Sequence, residues 1–400
     1  MKIINAINDP DVPGMMLFQP AGVLQLPNSV EISDAQSVNG SGVGGGSNSI
    51  KTAIGEYFER RHFYREVVSN KRGCLGGSLR THEVKGFAKA FFQTGCKSDC
   101  NPEIENYPFA LSEVVRISDL SPCFIPTVCM SLSSYGLEQD SLFYPLRDTC
   151  GCSFHWCSEF AFLGAVKECL ERQFLLRFWL TGKCQSRISD FQVRALLLKR
   201  NVRHLYNALT TSGDITFFDI SDVRFPGVCL LVVYGQSKSG HHVKYCAGMS
   251  YSSALEFAVE KSLLELWQTY RFMDLFKSVG SDELKIEDYY LRYFMSCNTY
   301  ETYQEISDVE VVGQGRRQGS SLAFTLSGFL SALNNQRISG YFYTRAEKLK
   351  GASCVFSKFV SPDLFLHMNN SKNCNIYNKF SKEFASSMLV SRMNRMVPFP

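Results

Sequence analysis

The sequence predicts an α/β (α+β) fold in which a strand or turn, a few small residues and a long helix recur around mixed sheets. Three observations predict it. A motif occurs as GEYFERR at Gly55–Arg61, again as KECLERQ at Lys167–Gln173, and in part as LELWQ at Leu264–Gln268. Each copy lies on a stretch of helical apolar spacing that follows small or turn-forming residues. GVCLLVVY, within Val223–Tyr234, is a continuous apolar run and reads as a buried strand.

Taken in order, residues 1–39 carry one basic residue, Lys2, and several prolines, and read as an irregular opening segment. Gly40–Ser47 (GSGVGGGS) reads as a flexible glycine run. A helix is predicted over 48–68, with Ile50, Ala53, Ile54, Tyr57 and Phe58 on its apolar stripe. Short strand-like and helical pieces follow to Tyr144, around Pro108, Pro122 and Pro126. Asp148–Ser153 is a turn before a second helix, at about 159–180. Lys244–Ser250 leads into a third, at about 253–273, whose core face is Leu255, Ala258, Val259, Ser262, Leu263 and Leu266. Val312–Ser321 (VGQGRRQGSS) reads as an exposed linker. A helix near 322–333 and strands at 340–344 and 354–360 complete the chain.

A hydrophobic fraction of 45% is ample for a packed core, and a net charge of +4 without a long basic run argues against nucleic-acid binding. No apolar run is long enough to span a bilayer, and the first residues lack a signal pattern, so a cytoplasmic protein is expected. The 15 cysteines are an odd, scattered set in a chain too large to need staples, which implies reduced thiols.

On a helix, positions three and four apart share a face. Glu56, Glu59 and Arg60 therefore point one way, as do Glu168, Glu171 and Arg172, and Glu265 points with Gln268. Clustered carboxylates repel one another, and a hard divalent cation such as Mg²⁺ is their natural counter-ion. The adjoining arginines suit phosphate. One E-x-x-E-R alone is usually a solvated, ion-paired face. Two near-copies and an E-x-x-Q, all beside apolar stripes, argue for a nucleotide–metal site built from helices. A di-iron bundle would want Glu-x-x-His, which none of the three supplies.

Gly40–Gly45 fits G-x-G-x-x-G ahead of a helix, where backbone N–H groups can meet phosphate, although the pattern alone is weak. Cys150, Cys152, His155 and Cys157 lie close in sequence, and Cys96 and Cys100 could complete another set. Their spacing does not match common structural zinc patterns, and packing explains them better. Pro398-Phe399-Pro400 is either a frayed end or a stiff extended segment able to deliver a base to a fixed place.

Together these motifs resemble the YcaO superfamily. Longer stretches are similar to its azoline-forming members: IGEYFERRHF (Ile54–Phe63), RDTCGCSFH (Arg147–His155), FMSCNTYE (Phe294–Glu301), VSPDLFLHMNN (Val360–Asn370) and MVPFP (Met396–Pro400). The resemblance implies one YcaO-type domain over 1–400, with an ATP–Mg²⁺ core at about 40–275 and a C-terminal region at about 276–400. It implies an ATP-dependent cyclodehydratase that turns Cys and Ser residues of a peptide into thiazolines and oxazolines. Glu56, Glu59, Glu168 and Glu171 would hold Mg²⁺, and Glu59 and Glu171 would act catalytically with Pro398 and Pro400. Ser41, Gly42, Ser47, Arg60, Arg172, Glu265 and Gln268 would bind the nucleotide. Thr52, Thr149-Cys150-Gly151 and Phe160 depart from the family's usual residues at those places. The implied partners are a precursor peptide rich in Cys, Ser and Gly, a leader-peptide-binding clamp subunit, and an FMN-dependent azoline dehydrogenase.

Overall fold

The computed structural model describes residues 2–5, 15–19, 26–34, 38–95, 104–280, 283–313, 321–349, 351–369 and 372–399. The chain opens with β1 (Lys2–Asn5), β2 (Met15–Gln19), β3 (Asn28–Ser33) and β4 (Asn39–Gly44), then enters α1 (Asn48–Arg65). Next come β5 (Lys71–Gly73), α2 (Thr81–Thr94), β6 (Phe109–Arg116), β7 (Pro122–Pro126) and β8 (Cys152–His155), which leads into α3 (Ser158–Thr181). Short β9 (Lys183–Cys184) and β10 (Ser186–Ile188) precede α4 (Asp190–Leu197) and α5 (Arg203–Ser212). Three longer strands, β11 (Asp214–Asp219), β12 (Val228–Gly235) and β13 (Tyr245–Ser252), lead to α6 (Leu255–Ser278). The rest is α7 (Tyr289–Ser296), α8 (Tyr300–Ser307), β14 (Glu310–Val311), α9 (Leu326–Asn335), β15 (Tyr341–Leu349), β16 (Ala352–Val360) and α10 (Val390–Met393).

Each motif helix directly follows a strand: β4 before α1, β8 before α3, β13 before α6. The short helices start where a side chain can accept from an otherwise unpaired N–H. Ser189, Asp288, Thr299 and Thr325 cap α4, α7, α8 and α9 in this way. Among the described residues the strand pairings are antiparallel, except β9 with β14.

The chain divides into two compact units, residues 1–57 with 182–320 and 398–400, and residues 58–181 with 321–397. In the first unit β1–β4 form one antiparallel sheet and β10–β13 another. α6 packs on β12, β13 and β4. Every residue of β12 and β13 is buried, the pattern of a strand covered on both faces. In the second unit β5, β6, β15, β16 and β8 run in that order, with β7 also paired to β6, and α3 packs on β16 and β8. Its core joins Phe63, Phe87, Phe91, Phe109, Tyr341 and Phe356.

Three sequence expectations change. The irregular opening segment contains three strands, and Lys244–Ser250 is mostly strand rather than lead-in. The glycine run is strand β4 as far as Gly44, and only Gly45–Ser47 turn freely into α1. The reason is packing: Gly40, Gly42 and Gly44 occupy alternate, buried positions of the strand. A Cβ on Gly40 would lie 2.4 Å from Ala53 O, and one on Gly42 only 2.0 Å from Ser49 O. The absent side chains let the strand lie directly on the helix backbone. Of the expected linker, 314–320 lie outside the described residues. Among the described residues no helix is long and apolar enough to cross a membrane.

Candidate active site

In the first unit, the motif residues sit where backbone approaches backbone. Ser41 N–H donates to Glu56 Oε2 at 2.9 Å, and Ser41 Oγ–H donates to Glu31 Oε2 at 2.6 Å. Strand register places Glu31 opposite Ser41, so one serine ties two carboxylates. Gly42 faces α1, while Ser47 is exposed in the turn where α1 begins. Glu265 is exposed on α6, and its Oε2 accepts from Met249 N–H at 3.2 Å. β13 is the last strand in its sheet, so this carboxylate satisfies an edge amide that no neighbouring strand pairs. Gln268, one turn on, is half-buried. The tail is held rather than frayed. Tyr245 OH donates to Pro398 O at 2.9 Å, Tyr290 OH donates to Phe399 O at 2.5 Å, and Phe399 is buried. Pro400 lies outside the described residues.

In the second unit, α3 carries its motif with local counter-charges. Arg172 Nε binds Glu168 Oε1 at 3.0 Å, and Arg172 Nη1 reaches Met368 Sδ at 3.4 Å. Lys167 Nζ lies 3.8 Å from Glu171 Oε2, and Glu171 is only 5% exposed. Glu59 and Arg60 are half-buried on α1.

The Cys152 thiol on β8 is buried. Burial pushes its pKa up, Lys358 opposes this, and Glu59, Glu168 and Asp148 reinforce it. Asp148 accepts from Cys150 N–H at 2.9 Å and from Met368 N–H at 2.6 Å, and Lys358 Nζ donates to the Asp148 carbonyl at 3.2 Å. Carboxylates are hard oxygen donors and arginines suit phosphate, so these residue types fit Mg²⁺ and phosphate, but among the described residues these carboxylates do not converge as a three-ligand group.

Several of these residues escaped the sequence reading. Asp148 was visible only as a turn residue, and Lys358, 5% exposed, as a position in a strand. Gln173, fully buried, both donates to Phe365 O at 3.1 Å and accepts from Phe365 N–H at 2.8 Å, clamping the 361–368 segment to α3. Its place as last residue of KECLERQ was the available signal. Cys150 and Cys152 are buried and Cys157 exposed, and among the described residues these do not gather with His155 as a ligand set. Cys96 and Cys100 lie outside the described residues.

The profile of the YcaO cyclodehydratase family, described as ATP- and Mg²⁺-binding, matches residues 45–327. The chain belongs to this family. It is 34% identical to the Microcin B17-processing protein McbD of Escherichia coli over 396 residues, covering 97% of each chain. It is also similar to a chain of the E. coli microcin synthetase McbBCD complex with pro-MccB17 bound, at TM-score 0.87 and 33% identity over 100% of both chains. The YcaO protein of Methanopyrus kandleri bound with AMPPCP and Mg²⁺ shares the fold at TM-score 0.56 and 13% identity, over 97% of this chain and 90% of that one.

Proposed function

We propose that this chain is the ATP-dependent cyclodehydratase subunit of a microcin-B-type synthetase. The full-length similarity to McbD carries this reading. A Cys Sγ or Ser Oγ of the peptide attacks the preceding amide carbonyl carbon, and its proton is removed. The former carbonyl oxygen takes the γ-phosphoryl group of ATP, releasing ADP. The amide nitrogen then loses its proton, the C–O bond breaks, and phosphate leaves as the C=N of the azoline forms. An amide oxygen is a poor leaving group and phosphate a good one, so the protein's work is positioning and charge stabilisation.

Glu56, Glu59, Glu168 and Glu171 would hold Mg²⁺, which would supply charge neutralisation for phosphoryl transfer. The recurrence of the E-x-x-E-R spacing on two helices supports this assignment. Arg60 and Arg172 balance phosphate or orient those glutamates. Ser41, Gly42, Ser47, Glu265 and Gln268 serve the nucleotide, and Pro398 and Pro400 present a base to the ring-closing step. Residues 1–400 act as one functional domain in the bacterial cytoplasm. A clamp subunit supplies leader-peptide recognition, and an FMN-dependent dehydrogenase oxidises azolines to azoles.

The test is mass spectrometry of a Cys/Ser/Gly-rich precursor incubated with this chain, its partner subunits, ATP and Mg²⁺. Loss of one water per modified residue, dependent on ATP and abolished by Glu59→Gln, is the expected result. An unchanged peptide in the assembled complex would turn the reading to a non-catalytic ATP-binding scaffold.

A further inference from the structure

The last turn of α1 carries a second donor set that the reaction does not use. His62 is fully buried. Its ring lies parallel to Phe356, with centroids 4.1 Å apart and planes at 7°, and edge-on to Phe63 at 5.1 Å. Helical geometry continues past Arg65, since Glu66 N–H donates to His62 O at 2.8 Å. Glu66 therefore stands four residues on, on the same face, with Oε2 3.0 Å from His62 Nδ1. The other imidazole nitrogen, Nε2, lies 3.1 Å from Tyr343 OH. Tyr343 and Glu347 alternate on one face of β15. The donor atoms of His62, Glu66 and Glu347 all lie within 4.8 Å of one another, and among the described residues they form the one such three-ligand group.

We infer that His62, Glu66 and Glu347 form a site for a borderline divalent cation of the Zn²⁺ class, tying the end of α1 to β15 in the second unit. Two residues four apart on a helix can chelate one metal, and a third from another element closes the face. Three protein donors of nitrogen and oxygen, with water completing the shell, are a common zinc set. Imidazole nitrogen selects against Mg²⁺, so this site is chemically distinct from the motif carboxylates. When Nε2–H donates to Tyr343 OH, Nδ1 is left with its lone pair toward the carboxylates, and Tyr343 is the positioning residue. Arg61 lies 3.6 Å from Glu66 Oε1 and Arg345 3.2 Å from Glu347 Oε1, which leaves Glu66 Oε2 on the imidazole side. Cys354, opposite Glu347 in the strand register, directs its S–H to the Glu347 carbonyl.

The full chain is titrated with Co²⁺ and with Zn²⁺ in excess Mg²⁺, following cobalt absorption and competition with a chelating dye. One equivalent should bind with ligand-field bands and without thiolate-to-cobalt charge transfer. Glu347→Gln, at a half-buried position that tolerates the change, should weaken binding by at least about tenfold, and Tyr343→Phe by about 10–100-fold. Added Zn²⁺ should raise the Tm of the wild-type chain and not that of Glu347→Gln. Equal binding by Glu347→Gln and wild type, no bound cobalt, or a thiolate charge-transfer spectrum would each overturn the assignment.

Discussion

At the scale of single residues, the motif carboxylates proposed to hold Mg²⁺ define what to change first. Glu168→Gln keeps the size of the side chain and removes its charge, and should lower azoline formation by about 100-fold or more, read as water loss by mass spectrometry. Gln173→Leu should leave the Phe365 N–H and C=O without their partner. It should cost about 1–3 kcal/mol per unpaired group in urea unfolding. His367 offers a pH test. It is buried, its Nδ1 has no hydrogen-bond partner among the described residues, and its Nε2 lies 2.9 Å from Asn373 O. Burial holds its pKa below the usual value, partly offset by Asp148. The unfolded chain therefore binds this proton first, near pH 6.5, and its stability contribution is lost as pH falls below that value toward the lower folded pKa. The slope approaches about 1.4 kcal/mol per pH unit, and a His367→Gln variant should show a flatter decline of Tm between pH 7.5 and 5.5.

At the scale of elements, the helices were legible and the strands much less so. α1, α3 and α6 announce themselves by apolar stripes that continue for several turns, because a helix keeps its periodicity over many residues. β12 was legible from its unbroken apolar run. β4 was not, because its buried face is made of glycine and carries no hydrophobic signal at all. Its period-2 pattern of Gly40, Gly42 and Gly44 is visible only once a helix is known to lie on it. The same reasoning gives a test. Gly42→Ala places a methyl group against Ser49 O, and Gly248→Ala places one 2.1 Å from Leu266 N, backbone to backbone in both cases. Each should destabilise by about 1–3 kcal/mol or more, measured as a lower urea midpoint, whereas Gly45→Ala in the open turn should change little. The motif glutamates and arginines were legible as shared helix faces, since spacing on a helix fixes a face. Glu31 in the first unit, and Asp148 and Lys358 in the second, were not, because strand register and turns position them, which local sequence does not encode.

At the scale of the whole molecule, activity should depend on company. The purified chain with ATP and Mg²⁺ should modify a leader-bearing peptide far more slowly than the assembled synthetase. Equal rates of water loss in the two preparations would contradict the division of labour proposed above. The buried cysteines have a different use. Most of the described cysteines are buried. In the second unit burial pushes Cys129 up to about 12, and in the first it holds Cys246 well above its ordinary range. Neither thiol reacts while its surroundings stay closed, since the thiolate is the reactive form. They are therefore natural stopwatches: pulsed alkylation followed by peptide mapping would time the opening of each unit separately, with no introduced label, and would reveal whether the two come apart in one event or in sequence.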